Sequence, residues 1–251
     1  MENQSLHALL LLSDSALPLG SFAFSSGLES FLAHHKQPKP AISAIQDFDI
    51  FLDMSLRNLA STSLPYVLEA HRSPHHLAQL DNDLDASTPC TVARRASVAQ
   101  GKAMVNLWER VFAPAVAESP DSFKRETIDQ ITSFIAEMKR NKPDGNGLQL
   151  NAHFAPLFGA VCSAMGVSSE DCAYLFLLNH VKAVLSAAVR ASVMGPYQSH
   201  AILASSTLQK RIKYCIDSER DTSVENAGLT VPPMDIWIGR HELLYSRIFN
   251  S

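Results

Sequence analysis

Ten histidines are the residues of this chain best suited to metal or acid–base chemistry, and their spacing argues against both. His71, His75 and His76 come closest to a ligand set. On an unbroken helix His71 and His75 would share a face, but Pro74 interrupts it. His241-Glu242 begins like a zinc-peptidase motif and has no second histidine. His34-His35 falls near the end of an expected helix, where imidazole complements the dipole. These clusters read as surface or capping histidines. The chain contains neither G-x-S-x-G nor a G-x-x-x-x-G-K-[ST] phosphate loop, and Gly20 and Gly27 are wrongly spaced for a dinucleotide fingerprint. Cys90, Cys162, Cys172 and Cys215 include no C-x-x-C pair and read as small buried hydrophobes. That usage suits a reducing, cytoplasmic setting.

Whatever the chain does must therefore be carried by its elements, and these are helical. Ile42, Ile45, Phe48, Leu52, Leu56 and Leu59 recur at three- and four-residue steps, as do Ile128, Ile131, Ile135 and Met138. Sustained two-residue alternation is absent, so no strand is expected. Helices are expected at 4–13, 26–35, 41–60, 64–72, 75–81, 89–112, 120–140, 149–165, 169–194, 197–216 and 219–226. Loops are expected at 14–25, 36–40, 82–88, 141–147 and 227–239. Ser26 with Glu29 reads as a capping box, Ser168 with Asp171 as a weaker one. Thr88-Pro89 and Ser119-Pro120 read as caps before a first-turn proline. Gly195-Pro196 reads as a helix end and Pro232-Pro233 as a block to further helix. The segment 171–194 is apolar nearly all round and should be the central helix of a bundle. Lys142 to Gly147 is the strongest internal break, but the apolar helices beside it suit one domain spanning 1–251.

A net charge of −4 offers no basic stripe for nucleic acid. Apolar runs are expected to fall short of a membrane span, and Leu6 to Leu12 makes a poor signal peptide.

Two segments differ from ordinary core or surface. The first is Leu11 to Glu29, a Pro/Gly loop carrying Phe22 and Phe24. Its aromatics either plug the core or form a partner-docking edge. The second is the C-terminus, where Leu243, Leu244, Tyr245, Ile248 and Phe249 lie between Arg240 and Arg247. This composition is that of an interface. The segment either docks on its own core or binds another protein. At helical spacing Leu244, Tyr245 and Ile248 would share a face.

These segments carry a resemblance. Leu12-Ser-Asp-Ser-Ala-Leu-Pro-Leu-Gly-Ser-Phe-Ala-Phe-Ser-Ser-Gly-Leu-Glu29 resembles the N-terminal signature of the UreF family of urease accessory proteins, with Pro18, Gly20, Phe22, Phe24, Gly27 and Glu29 its distinctive positions. Arg240-His-Glu-Leu-Leu-Tyr-Ser-Arg-Ile-Phe-Asn-Ser251 resembles the family's C-terminal signature. Arg95-Ala-Ser-Val-Ala-Gln-Gly101, with Ser97 and Gln100, resembles an internal block. So do Ser186 to Arg190 with Gly195 and Gln198, and His153-Phe154 with Phe158-Gly159. Ser21, Asn179-His180 and Gly239 before Arg240 depart from bacterial members and look like the eukaryotic branch.

The resemblance implies an all-α, single-domain multi-helix bundle, a homodimer, and no catalysis by the chain itself. It implies partnership with a UreD/UreH-type accessory protein and a UreG-type GTPase, which together deliver nickel to apo-urease. Residues Arg240, His241, Glu242, Leu244, Tyr245, Ser246, Arg247, Ile248 and Phe249 would form a partner-docking tail within 240–251. No tight metal or other cofactor is expected in the isolated chain, with weak nickel binding at His75-His76 at most, because convergent ligands are lacking. Two competing readings are a gating or activating factor for the GTPase, with Arg240 or Arg247 as an arginine finger, and a helical metalloenzyme.

Overall fold

The computed structural model describes residues 2–34, 41–117, 122–140 and 149–250. They fold into helices and turns, with no strand among the described residues. The order is α1 (Glu2–Ser13), α2 (Leu28–His34), α3 (Ala41–Arg72), α4 (Leu77–Ser87), α5 (Thr91–Leu107), α6 (Ala113–Val116), α7 (Ser122–Lys139), α8 (Phe154–Ala164), α9 (Ser169–Arg190), α10 (Pro196–Leu203), α11 (Ser206–Glu219) and α12 (Pro232–Arg240). Short 3₁₀ turns cover Ser21–Ala23, Pro74–His76, Val224–Asn226 and His241–Leu243.

Three helices make the centre. The apolar helix α9 runs through the core, packed against α3, α8, α1, α10 and α11. Beside it α8 is buried from Ala155 through Ala164. The long α3 lies across both. Gly159 lets α8 approach α3 so closely that a Cβ there would sit 2.1 Å from the Val67 carbonyl oxygen. α7 packs on α8, so the helices flanking the 141–148 segment share one core. That segment and Ser119-Pro120 lie outside the described residues.

Local signals placed several ends correctly. The Ser168 hydroxyl accepts the Asp171 N–H at 3.0 Å and donates to the Asp171 carboxylate at 2.7 Å. α9 stops at Arg190, four residues earlier than expected. There Ser192 turns left-handed (φ +59°) and the Val193 N–H returns to the Ala188 carbonyl at 2.9 Å. By length and hydropathy α9 would suffice to cross a membrane, contrary to expectation, but its apolar faces are spent on the helices around it.

Other expectations fail for identifiable reasons. α3 is continuous, although a break was expected at 61–63. Pro65 has no N–H for the Ser61 carbonyl, and the Gly228 N–H takes its place at 3.1 Å. The Ser61 hydroxyl also meets that of Thr230 at 2.8 Å. α4 continues to Ser87, so 82–88 is not a loop. Thr88 ends α4, its hydroxyl donating to the Leu84 carbonyl, and does not cap α5, whose N-cap is Cys90. The expected helix 149–165 starts only at Phe154, and 197–216 is two helices divided at Ala204-Ser205. Of 219–226 only Glu219, the last residue of α11, and the 3₁₀ turn Val224–Asn226 are helical. Gly195-Pro196 opens α10. Pro232-Pro233 likewise starts α12, because proline fits the first turn of a helix where no N–H is needed. Trp237 of α12 then packs edge-on against Phe31 of α2, with ring centroids 4.9 Å apart.

Candidate functional site

The two terminal signatures meet. Gly20 and Gly27 take left-handed conformations (φ +70° and +88°) that bend the 14–27 loop back over the core. Gly27 also abuts α12: a Cβ there would stand 3.1 Å from Ile238. Ser26 is itself left-handed (φ +52°) and does not form the expected capping box. The Ser25 hydroxyl instead lies 3.4 Å from the Glu29 N–H.

This frees the Glu29 carboxylate for the C-terminus. One oxygen accepts the Ile248 N–H at 2.7 Å; the other accepts the Phe249 N–H at 3.2 Å and lies 3.0 Å from His241 Nε2. His241 and Phe249 are buried. The Asn250 N–H donates to the Ala23 carbonyl at 2.8 Å. Arg190 of α9 donates to the Phe22 carbonyl, and its guanidinium lies 4.3 Å from the Phe249 ring centroid. Arg95 of α5 pairs with Glu242 and reaches the Asn250 carbonyl at 3.3 Å; Arg247 also pairs with Glu242 at 3.2 Å. These two arginines hold the Glu242 carboxyl below its usual range, the hydrogen bond from Arg95 contributing most.

The residues singled out from sequence therefore divide into two groups. Glu29, Arg95, Arg190, His241, Glu242 and Phe249 hold the chain ends together. Leu243, Tyr245 and Ile248, with Phe22 on the facing loop, point outward; Tyr245 is fully exposed and Leu243 is 78% exposed. Pro18, Arg240 and Ser246 are exposed, while Leu244 and Phe24 are half-buried. After the 3₁₀ turn at His241–Leu243 the segment is not helical, so Leu244, Tyr245 and Ile248 do not share a helix face as expected. Ser251 lies outside the described residues.

A second network fixes the platform beneath. Asp81 is buried and accepts the N–H groups of Asn151, Ala152 and His153 at 2.7, 3.2 and 2.5 Å. Burial nevertheless pushes its carboxyl above the usual range, against those three bonds. Gly101 makes room for this turn: a Cβ there would fall 1.7 Å from the Ala152 oxygen. His153 is buried, with Nδ1 3.0 Å from Ser97 Oγ and Nε2 2.9 Å from Asp85. Ser97, His153 and Asp85 are thus the residue types of a serine-hydrolase triad. Two features oppose that chemistry. The ring turns Nδ1 and not Nε2 toward the serine, and Arg94 already pairs with the Asp85 carboxylate. Ser97 Oγ also accepts the Phe154 N–H at 3.3 Å, which ties α5 to the start of α8. Asp81 and Asp85 were not singled out from sequence. Their four-residue spacing on one helix face was the available signal, hidden by ending that helix at 81.

Between the N-terminal loop and helices α3, α5, α9 and α12 lies a cavity of about 420 Å³. Ser21, Phe22, Phe24, Ser97 and Gln100 line it, and Ser21 donates to Gln100 at 3.1 Å. Among the described residues no three His, Cys, Asp or Glu side chains converge as a metal ligand set. The His75 and His76 rings lie with centroids 4.0 Å apart and tilted by 55°, but His71 turns away to the Val167 carbonyl at 2.8 Å.

An all-α scaffold whose two chain ends build one surface is the class this structure defines. Residues 42–207 match the UreF family model. A UreF-like urease accessory protein of Schizosaccharomyces pombe is 35% identical over 98% of this chain and 97% of its own. Urease accessory protein F of Oryza sativa subsp. indica is 30% identical over 99% and 86%. Urease accessory protein UreF of Haemophilus influenzae is 24% identical over 98% and 95%. The chain belongs to the UreF family of urease accessory proteins, and the fungal and plant relatives agree with the eukaryotic features of its sequence.

Proposed function

We propose that this chain is a binding subunit of the cytoplasmic machinery that inserts nickel into apo-urease, and that it works through protein–protein contacts and not by catalysis. Its partners in this reading are a UreD/UreH-type accessory protein, a UreG-type GTPase, apo-urease and a second copy of itself. Nickel is the cargo of the assembly and is not held tightly by this chain.

The observation that supports the reading is the paired terminal surface. Exposed apolar side chains on a chain end normally belong to frayed segments. Here Glu29, Arg95, Arg190 and buried Phe249 anchor the backbone that presents Leu243, Tyr245 and Ile248. A preorganised apolar edge loses less entropy on binding than a mobile tail does. An open cleft of about 510 Å³ beside it, walled by Phe24, Arg95, Arg247 and Phe249, adds concavity and charge.

The test is genetic and chemical together. Urease would be purified from urease-producing cells lacking this chain and from the same cells supplied with it. The expected result is urease protein at normal level with little nickel in the deleted strain, and nickel and activity restored by the chain. Fully nickel-loaded urease from the deleted strain would overturn the proposal.

A further inference from the structure

The cavity beneath the N-terminal loop has chemistry that docking by the chain ends does not use. Its volume of about 420 Å³ falls inside the roughly 300–1,000 Å³ of small-molecule sites. Leu12, Leu19, Leu59, Phe154, Phe176 and Met234 make much of its wall apolar. Polar side chains complete it, among them Gln100 of α5, Asp235 of α12, whose carboxyl burial raises above its usual range, and Ser55 and His180 where α3 meets α9. There His180 Nε2 lies 2.8 Å from Ser55 Oγ. The ring makes no other hydrogen bond among the described residues. His180 lines the cavity, and with Nε2 engaged by Ser55, Nδ1 is the ring nitrogen left for a ligand.

We propose that this cavity binds a small uncharged molecule with an apolar body and one hydroxyl group, anchored by that hydroxyl on His180 Nδ1. The chemistry narrows the class in three ways. First, burial pushes the His180 pKa down to about 4, so the ring is neutral at neutral pH and offers no charge to an anion. Second, a neutral imidazole presents either a lone pair or an N–H at Nδ1, depending on how the Ser55 hydroxyl is turned. A hydroxyl fits both cases because it donates and accepts. Third, a charged ligand would lose its hydration against leucine and phenylalanine walls. The Lys182 ammonium, also on the wall, is engaged by the Ser13 carbonyl at 2.6 Å and faces Asp14. The inference stands on the cavity alone and does not rest on the docking reading.

The probe is 4-butylphenol, titrated into the full chain by calorimetry, with butylbenzene as the hydroxyl-free control. The expected result is saturable one-to-one binding of the phenol with Kd below about 1 mM and about tenfold or greater preference over butylbenzene, the worth of one hydrogen bond. His180→Leu should remove the preference. Ala183→Trp, which fills the cavity from α9, should abolish binding of both while circular dichroism shows a folded protein. Absence of saturable binding to the native chain, or equal affinity for the two probes, overturns the proposal. Should Ala183→Trp fail to fold, the His180→Leu comparison decides alone: a preference that survives it also overturns the proposal.

Discussion

Glu29 and His241 stand 212 positions apart in the chain and meet at 3.0 Å, with the Glu29 carboxylate also holding two backbone N–H groups of the last residues. The N-terminal loop and the C-terminal segment are therefore one structural unit. Removing the carboxylate should release the C-terminus without melting the bundle, whose core lies at α3, α8 and α9. In Glu29→Ala, hydrogen exchange at residues 241–250 should accelerate strongly while α8 amides stay protected. A carboxylate that accepts backbone N–H bonds contributes about 1.5–3 kcal/mol per charged bond at most, so the global loss should be of that order. Unchanged exchange at Ile248 and Phe249 would show that the clamp does not hold the segment.

A partner-docking tail within 240–251 implies a segment that can be deleted with stability nearly intact. The structure changes that expectation, since His241 and Phe249 are buried against the body. Phe249→Ala removes a buried aromatic ring, a change that costs about 3–5 kcal/mol in a closed core. At a chain end the loss should be smaller, and it should appear first as tail exchange and then as a lowered melting temperature.

Gly101 tests the platform. A methyl group there collides with the Ala152 carbonyl, which is backbone and cannot rotate aside. Gly101→Ala should destabilise by at least the ~1–3 kcal/mol typical of overpacking, read by urea unfolding. A neutral effect would mean that the 151–153 turn relaxes freely, which its three bonds to Asp81 argue against.

His180 sets an acid limit. Its folded pKa of about 4 lies below the 6.5 of a free imidazole. Between these values the unfolded chain binds the extra proton, so stability falls as pH drops from about 6.5 to about 4. The ceiling is roughly 3 kcal/mol, less whatever water in the cavity recovers. Burial lowers His71 as well, which adds to the same trend. In His180→Gln the slope of unfolding free energy against pH should flatten in this window. An unchanged slope would show that the ring is solvated.

What could be read from sequence was what depends on neighbours in the chain. The Ser168 cap and the apolar core of α9 need only local spacing; the cap falls where expected, while the helix ends four residues early, at Arg190. Glu29 was read as a local cap because Ser26 stands three residues before it, whereas its partners lie at the other end of the chain. The expected break in α3 at 61–63 does not form, because the Gly228 N–H that relieves the Ser61 carbonyl comes from a distant loop that local sequence does not show. Pro232-Pro233 carries one chemical fact, the missing N–H, that suits a stop and a start equally. The family resemblance located the terminal segments, but not their division into inward anchors and outward side chains. That division is a property of the packed structure.

The central claim is that the outward side chains of the joined chain ends dock a UreD/UreH-type accessory protein. The direct measurement is the affinity of that protein for this chain and for the double variant Leu243→Ala, Tyr245→Ala, by biolayer interferometry. Both residues are exposed, so melting temperature should be unchanged. If they are interface anchors, each truncation costs about 2 kcal/mol or more, and the pair should weaken binding by at least about a hundredfold. Binding of the variant as tight as that of the native chain, at equal stability, would contradict the account.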